Sequence, residues 1–240
     1  MREAHNYARW HVRRPGRPAM STTRLEAFSD GVFAIAATLL ILEIKVPDAA
    51  SGRLQHELVR QWPSFASYAV SFLVIGILWV NHHAMFRFIV HTNRPLLFLN
   101  LGLLMAVSFL PYPTALMATY VRADDSNAHV AAFVYSLTMF VLSIFWNGTW
   151  YYVMSHEELH DGALSHSDAR KIARQGWFGN VLYATTLLVS WVSAPLTLAV
   201  FGALAVFWML VYRPEARVAA TESGGHVHHD PESHELVARE

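Results

Sequence analysis

Three groups of residues in this chain are of types that could do chemistry. The first is Arg24-Leu25-Glu26-Ala27-Phe28-Ser29-Asp30, together with Trp79-Val80-Asn81-His82-His83 and with Asn93, Arg94 and Asn100. Carboxylate, imidazole and amide groups in such a set can relay a proton, hold a cation, or lock chain segments together by charge-assisted hydrogen bonds. The second is His156-Glu157-Glu158-Leu159-His160, which satisfies the H-E-x-x-H pattern. On an α-helix its two imidazoles would share a face and bind zinc, with a glutamate between them as general base. The third is His226-x-His228-His229 with His234 near the C-terminus, a weak site for zinc or nickel. The chain has no cysteine, which removes disulfides, thiolate nucleophiles and thiolate metal sites.

The elements that must position these groups are membrane helices. Of the 240 residues, 54% are hydrophobic, 13% aromatic and only 15% charged. Soluble domains carry about 25% charge. Residues 99–121 hold no charge at all. Several runs exceed the roughly 18 mostly apolar residues that mark a membrane span, which excludes a soluble enzyme, a nucleic-acid binder and a disordered chain. We expect an all-α integral membrane protein with six transmembrane helices. The first four spans run roughly over Leu25–Val46, Pro63–Phe88, Pro95–Tyr120 and His129–Met154. The apolar stretch from Trp177 to Tyr212 would make one helix of about 54 Å, too long for a hydrocarbon core of about 30 Å. Ser193-Ala194-Pro195 offers a break, so a hairpin of two helices is expected; the count falls to five if it does not cross. Pro111 and Pro113 should kink the third span, and that kink must be covered by protein.

An even number of spans puts both termini on one side. That side collects fourteen Lys and Arg, six of them within residues 1–24, against four (Lys45, Arg53, Arg60 and Arg122) on the other. The positive-inside rule then makes both termini cytoplasmic, in a multi-pass protein of the cell's inner (plasma) membrane. The start of the chain lacks the small-residue cleavage site of a signal peptide. The chain divides into a basic cytoplasmic segment (1–23), a membrane domain (24–213) and a His-rich tail expected to be disordered (214–240).

An ionisable group inside a membrane is a functional candidate by default, since it costs at least about 2.5–3.5 kcal/mol at a helix centre. Asp30 could pair with Arg24 or with a protonated His82, leaving Asn81 and Asn100 to satisfy the remaining groups. At about 100° per residue, Gly31, Ile35, Thr38, Leu39 and Leu42 share one face of the first helix, while Asp30 sits about 140° from Ile35. The geometry favours Asp30 as an anchor for the opposite face rather than a charge in a pathway.

The same residues carry a resemblance. Arg24-x-x-x-Phe28-Ser29-Asp30, followed by Gly31 through Leu42, resembles the first-helix signature of the transmembrane protein 175 family. These are potassium channels of lysosomes and endosomes, with shorter bacterial and archaeal relatives. Trp79-x-x-His82-His83 and the stretch from Asn100 through Phe109-Leu110-Pro111-Tyr112-Pro113-Thr114-Ala115 are similar to the prokaryotic members. The resemblance covers residues 24–210, roughly. It implies a six-helix subunit in a homotetramer whose first helices line a central pore, with a hydrophobic constriction in place of a carbonyl filter; the sequence has no Thr-Val-Gly-Tyr-Gly. By offset from the Phe-Ser-Asp motif, Ile35 would form the narrowest ring, Thr38 a hydroxyl ring, and Leu39 and Leu42 the lining beyond. Arg24, Phe28, Ser29, Asp30, Trp79, His82 and Asn100 would form a gating or packing network. Glu43 and Asp48, near the other mouth, could concentrate cations. Implied partners are further copies of the chain, potassium as the permeant ion and the lipid bilayer, with no cofactor and no nucleic acid.

Two other functions share these residues. A proton-coupled transporter could use Asp30 and His82, although the paired broken helices of transporters are not visible. A membrane metalloprotease could use His156, Glu157 and His160, but no third ligand stands out in any span, and a solvated loop is the plainer reading of that motif. No enzyme is expected.

Overall fold

The apolar runs fold as helices, and their ends fall where prolines and capping side chains stand. A computed structural model describes residues 22–48, 52–160 and 166–211. The basic segment up to Ser21 and the His-rich tail, with His226, His228, His229 and His234, lie outside the described residues. Helix α1 (Thr22–Leu39) tightens into a 3-10 turn, Leu40–Glu43, ahead of Pro47. The short α2 (Leu54–Arg60) leads into α3 (Trp62–Phe86), where Pro63 occupies the first turn, a position in which its missing N–H costs nothing. The Asn93 side chain caps α4 (Arg94–Phe109) by accepting from the Leu96 N–H at 3.1 Å. Helix α5 (Pro111–Tyr120) follows, then α6 (Ser126–Met154), capped by Asp125, whose carboxylate accepts from the Asn127 and Ala128 N–H groups at 3.0 Å each. Helices α7 (His166–Val189) and α8 (Ala194–Val211) follow as the last described elements.

Among the described residues, four stretches are long and apolar enough to cross a membrane: Thr22–Glu43, Trp62–Phe86, Arg94–Tyr120 and Ser126–Met154. They match the first four expected spans to within a few residues. The fifth apolar stretch is broken between Val189 and Ala194, where the sequence offers Ser193-Ala194-Pro195. Helix α6 packs against α4, α5, α7 and α8, and α1 lies across α3 and α4. Gly102 permits the close approach of α4 to α6, since a Cβ there would overlap the Phe145 ring.

The kink expected at Pro111 is an interruption at Leu110. Proline cannot donate, so the ladder closes early, with the Leu110 N–H on the Val107 carbonyl at 3.1 Å. The Leu110 carbonyl then receives two donors, the Thr114 N–H at 3.2 Å and its hydroxyl at 2.8 Å. Thr114 has thereby used its hydrogen, so it accepts from Ser71 at 2.7 Å, and Ser71 accepts from the Tyr135 hydroxyl at 2.9 Å. All three side chains are buried, as are Pro111 and Pro113. The chain of hydroxyls satisfies every member while joining α3, α5 and α6 at the break.

The turn of the α7–α8 hairpin is held by Asp124, which adopts a left-handed backbone (φ 46°) tolerated best by Asn, Asp and Gly. Its carboxylate crosses to the start of α8, accepting from the Ala194 N–H at 2.8 Å and from the Ser193 hydroxyl at 3.1 Å. The Ala194 N–H foremost, helped by Ser193 and His129, holds this carboxyl below its usual range.

Candidate functional site

Helix α1 has two unlike faces. Leu25, Ser29, Phe33, Ala36 and Leu40 are buried at helical spacing, with Phe33 2% exposed and Leu40 0%. Gly31, Ile35, Thr38, Leu39 and Leu42 lie on the other side, with Ile35 61% exposed and Leu42 69%. Residues three apart eclipse in a 3-10 turn, so Leu42 stays in line with Leu39 although the α-helix has ended. The stripe expected from the helical wheel is therefore the uncovered face of α1. Thr38 donates its hydroxyl hydrogen to the Ile35 carbonyl at 2.9 Å, which leaves the oxygen lone pairs facing outward.

Polar groups fix the rotation of that helix. The Asn100 side chain of α4 donates from Nδ2 to the Ser29 hydroxyl at 3.0 Å, and Ser29 donates to the Leu25 carbonyl at 2.9 Å. With its amide so oriented, Asn100 accepts at Oδ1 from His82 Nε2–H of α3 at 2.8 Å. The His82 ring stacks on Phe86 at 4.4 Å and meets the Phe33 edge at 5.3 Å. All three polar residues are buried, at 1% exposure or less. Three helices thus meet in one directional chain of hydrogen bonds, with His82 Nδ1 left without a partner.

Asp30 takes another partner than expected. Its carboxylate accepts from the Trp79 indole at 2.9 Å, one turn of α3 before His82, and pairs with neither Arg24 nor His82. The reason is position: Asp30 follows Ser29 by about 100° around the helix, beyond the seam in which His82 and Asn100 meet. Arg24 and Phe28 stay exposed and outside the network. Asn81 is outside it too, on a wall that α3 shares with α6, α7 and α8. The pair formed by Glu26 and His83, 2.7 Å apart, adds a second α1–α3 contact near the same end; neither residue's type alone foretold it. Nothing in the sequence foretold the Tyr135–Ser71–Thr114 chain either, since hydroxyls in apolar helices usually bond their own backbone.

The H-E-x-x-H segment does not form the helix its zinc chemistry requires. Glu157–Leu159 is a single 3-10 turn, and His156 and His160 on either side are extended. His156 Nδ1 lies 2.9 Å from the Tyr152 carbonyl, and the backbone around His160 bridges to Ile89. No group of three potential metal ligands occurs among the described residues. The motif serves as a loop clasp.

Residues 24–111 match the family model described as the endosomal/lysosomal potassium channel TMEM175. A protein of Streptomyces collinus named as a potassium channel is 49% identical over 186 residues, covering 77% of this chain and 90% of the relative. The chain belongs to the TMEM175 family. A crystal structure of a TMEM175 homologue from Chamaesiphon minutus, described as a lysosomal potassium-selective channel homologue, superposes with a TM-score of 0.69 at 38% identity, covering 79% of this chain and 96% of that one. The TMEM175 of Gallus gallus, named an endosomal/lysosomal proton channel, is 36% identical over 148 residues; the match covers 58% of this chain but 29% of that longer protein. The family is one of ion channels and not of enzymes.

Proposed function

We propose that this chain is one subunit of a potassium-selective leak channel of the plasma membrane, assembled as a homotetramer with six helices per subunit. The observation that carries the proposal is the uncovered apolar stripe of α1 opposite a buried polar anchor. A membrane helix with its polar residues turned inward and Ile35, Leu39 and Leu42 turned outward suits four copies meeting on an axis. Ile35 forms the constriction, where an apolar ring stops ions by excluding water. Thr38 offers four outward oxygens to a partly dehydrated potassium ion one turn further on. Ser29, His82 and Asn100, with Asp30 and Trp79, hold α1 in that rotation. The groove beside the stripe, between Phe33 and Ala34 of α1 and Phe72 and Gly76 of α3, is mostly apolar, with Asp30 and Asn81 also on its wall, and is open to a neighbouring copy. Residues 24–213 form the membrane domain, and both termini are cytoplasmic.

Purified protein in liposomes should release potassium faster than sodium under matched gradients. Equal release of both would remove the selectivity, and flux appearing only with an imposed proton gradient would favour the transporter that uses Asp30 and His82. The name of the Gallus gallus relative makes proton permeation the reading to exclude, so proton flux is measured in the same vesicles.

A further inference from the structure

A cavity of about 100 Å³ lies between α3, α6, α7 and α8, apart from the stripe and from the hydrogen-bond network of α1. Its two ends differ chemically. Asn81, Asn147, Trp150 and Gln175 stand toward the C-terminal ends of α3 and α6 and the N-terminal part of α7. Val74, Met139, Leu142 and Ala205 line the end nearer the middle of the helices. No charged side chain lines it. Gly176 and Gly179 keep the α7 wall low, since a Cβ at Gly179 would stand 3.4 Å from the Trp208 ring.

Several polar groups of this wall have no partner. Trp150 is 5% exposed, and its indole Nε1–H meets no acceptor. The side-chain amides of Asn81 and Gln175 make no hydrogen bond among the described residues. Asn147, by contrast, is engaged, donating to the Ser143 carbonyl at 2.9 Å and to Asn180 Oδ1 at 2.6 Å. An unpaired polar group at membrane depth is costly, and a guest that supplies a donor and an acceptor removes that cost. The wall offers no counter-charge, so the guest is uncharged. A cavity of about 150 Å³ holds benzene, so this one admits about four or five non-hydrogen atoms.

We propose that the cavity binds a short uncharged amphiphile, of the class of a small alcohol or primary amide. Its polar head bonds with Asn81, Trp150 and Gln175, and its alkyl tail lies against Met139, Leu142 and Ala205. The gradient of polarity along the wall sets this orientation.

The test uses the full-length chain in deuterated detergent with straight-chain alcohols from ethanol to n-octanol, followed by saturation-transfer NMR. Binding should be saturable, strengthen up to n-propanol or n-butanol, and fall for longer chains that outgrow the cavity. Ala205→Leu fills the apolar end and should abolish the saturable signal. Trp150→Phe keeps the packing but removes the donor, and should weaken n-butanol roughly tenfold, the equivalent of one hydrogen bond. Should Ala205→Leu not fold, as judged by elution volume and helix content, Gly179→Ala narrows the same space and takes its place. Affinity that climbs steadily to n-octanol and ignores these substitutions would show partition into the detergent and overturn the proposal. So would the absence of any saturable signal, which leaves the cavity to water.

Discussion

The two faces of α1 are nearly equal in apolar content and opposite in fate. Phe33, Ala36 and Leu40 are sealed against α3, α4 and α5, while Ile35, Leu39 and Leu42 are open. In water such a helix would have no preferred side, and in a bilayer greasiness distinguishes sides even less, because lipid is as apolar as leucine. What separates the faces is polarity at a few positions. Ser29 finds Asn100, Asp30 finds Trp79 and Glu26 finds His83, all on one half of the helix near one end. A membrane helix is thus oriented by its exceptions, and the stripe left over becomes available to line a pore.

Four tests break or sharpen this contrast. The largest effect is expected on the open face. Ile35→Ala removes three carbons per subunit and should raise resting potassium flux several-fold in liposomes while weakening discrimination against sodium; Ile35→Asn should leak as well, since a polar ring holds water. If neither variant differs from the parent while Leu42→Ala leaks, the constriction lies further along the stripe. On the sealed face, Asn100→Ala leaves the His82 Nε2–H unpaired and takes from Ser29 its incoming donor while sparing its bond to Leu25, and should cost about 1–3 kcal/mol, mostly through His82. The check is the thermal unfolding midpoint, and His82→Ala combined with Asn100→Ala should cost less than the two separately. Away from α1, Tyr135→Phe removes the first donor of the hydroxyl chain and leaves the Ser71-to-Thr114 and Thr114-to-Leu110 bonds in place. It should cost about 1 kcal/mol in the same measurement and leave ion preference unchanged. The smallest effect belongs to Asp124. A carboxyl held below its usual range stabilises the fold at neutral pH, and that contribution is lost only as the pH falls through the lowered value. The protection of the α8 start against hydrogen exchange, measured relative to an unfolded amide at the same pH, should be steady from neutrality into the ordinary carboxylate range, then fall in more acid buffer. Asp124→Ala should show the reduced protection at every pH.

How far this could be read beforehand depended on the kind of feature. Span positions, the break before Pro195 and the interruption at Pro111 were legible, because length, hydropathy and the missing proline donor are local properties. The open stripe was legible too, because helical periodicity is local. Partner choice was not. Asp30 was expected beside Arg24 or His82, yet its nearest donor is the Trp79 indole, a matter of where α3 crosses α1. The H-E-x-x-H motif was legible as a loop rather than a zinc site, because no third ligand stood out in any span; its 3-10 turn and its bridge to Ile89 were not. Asp124 carries no signal in the sequence, because only the fold brings it to a helix start some seventy residues later.

Helix α6, at 29 residues, has a consequence for the lipid around it. Its length of about 43 Å exceeds a hydrocarbon core of about 30 Å, so it must lean or protrude. Because α6 packs on α4, α5, α7 and α8, it cannot lean alone. Bilayer thickness therefore bears on the whole subunit at once: longer acyl chains relieve the mismatch and let the bundle stand more upright, shorter ones tilt it, and the spacing of the first helices follows.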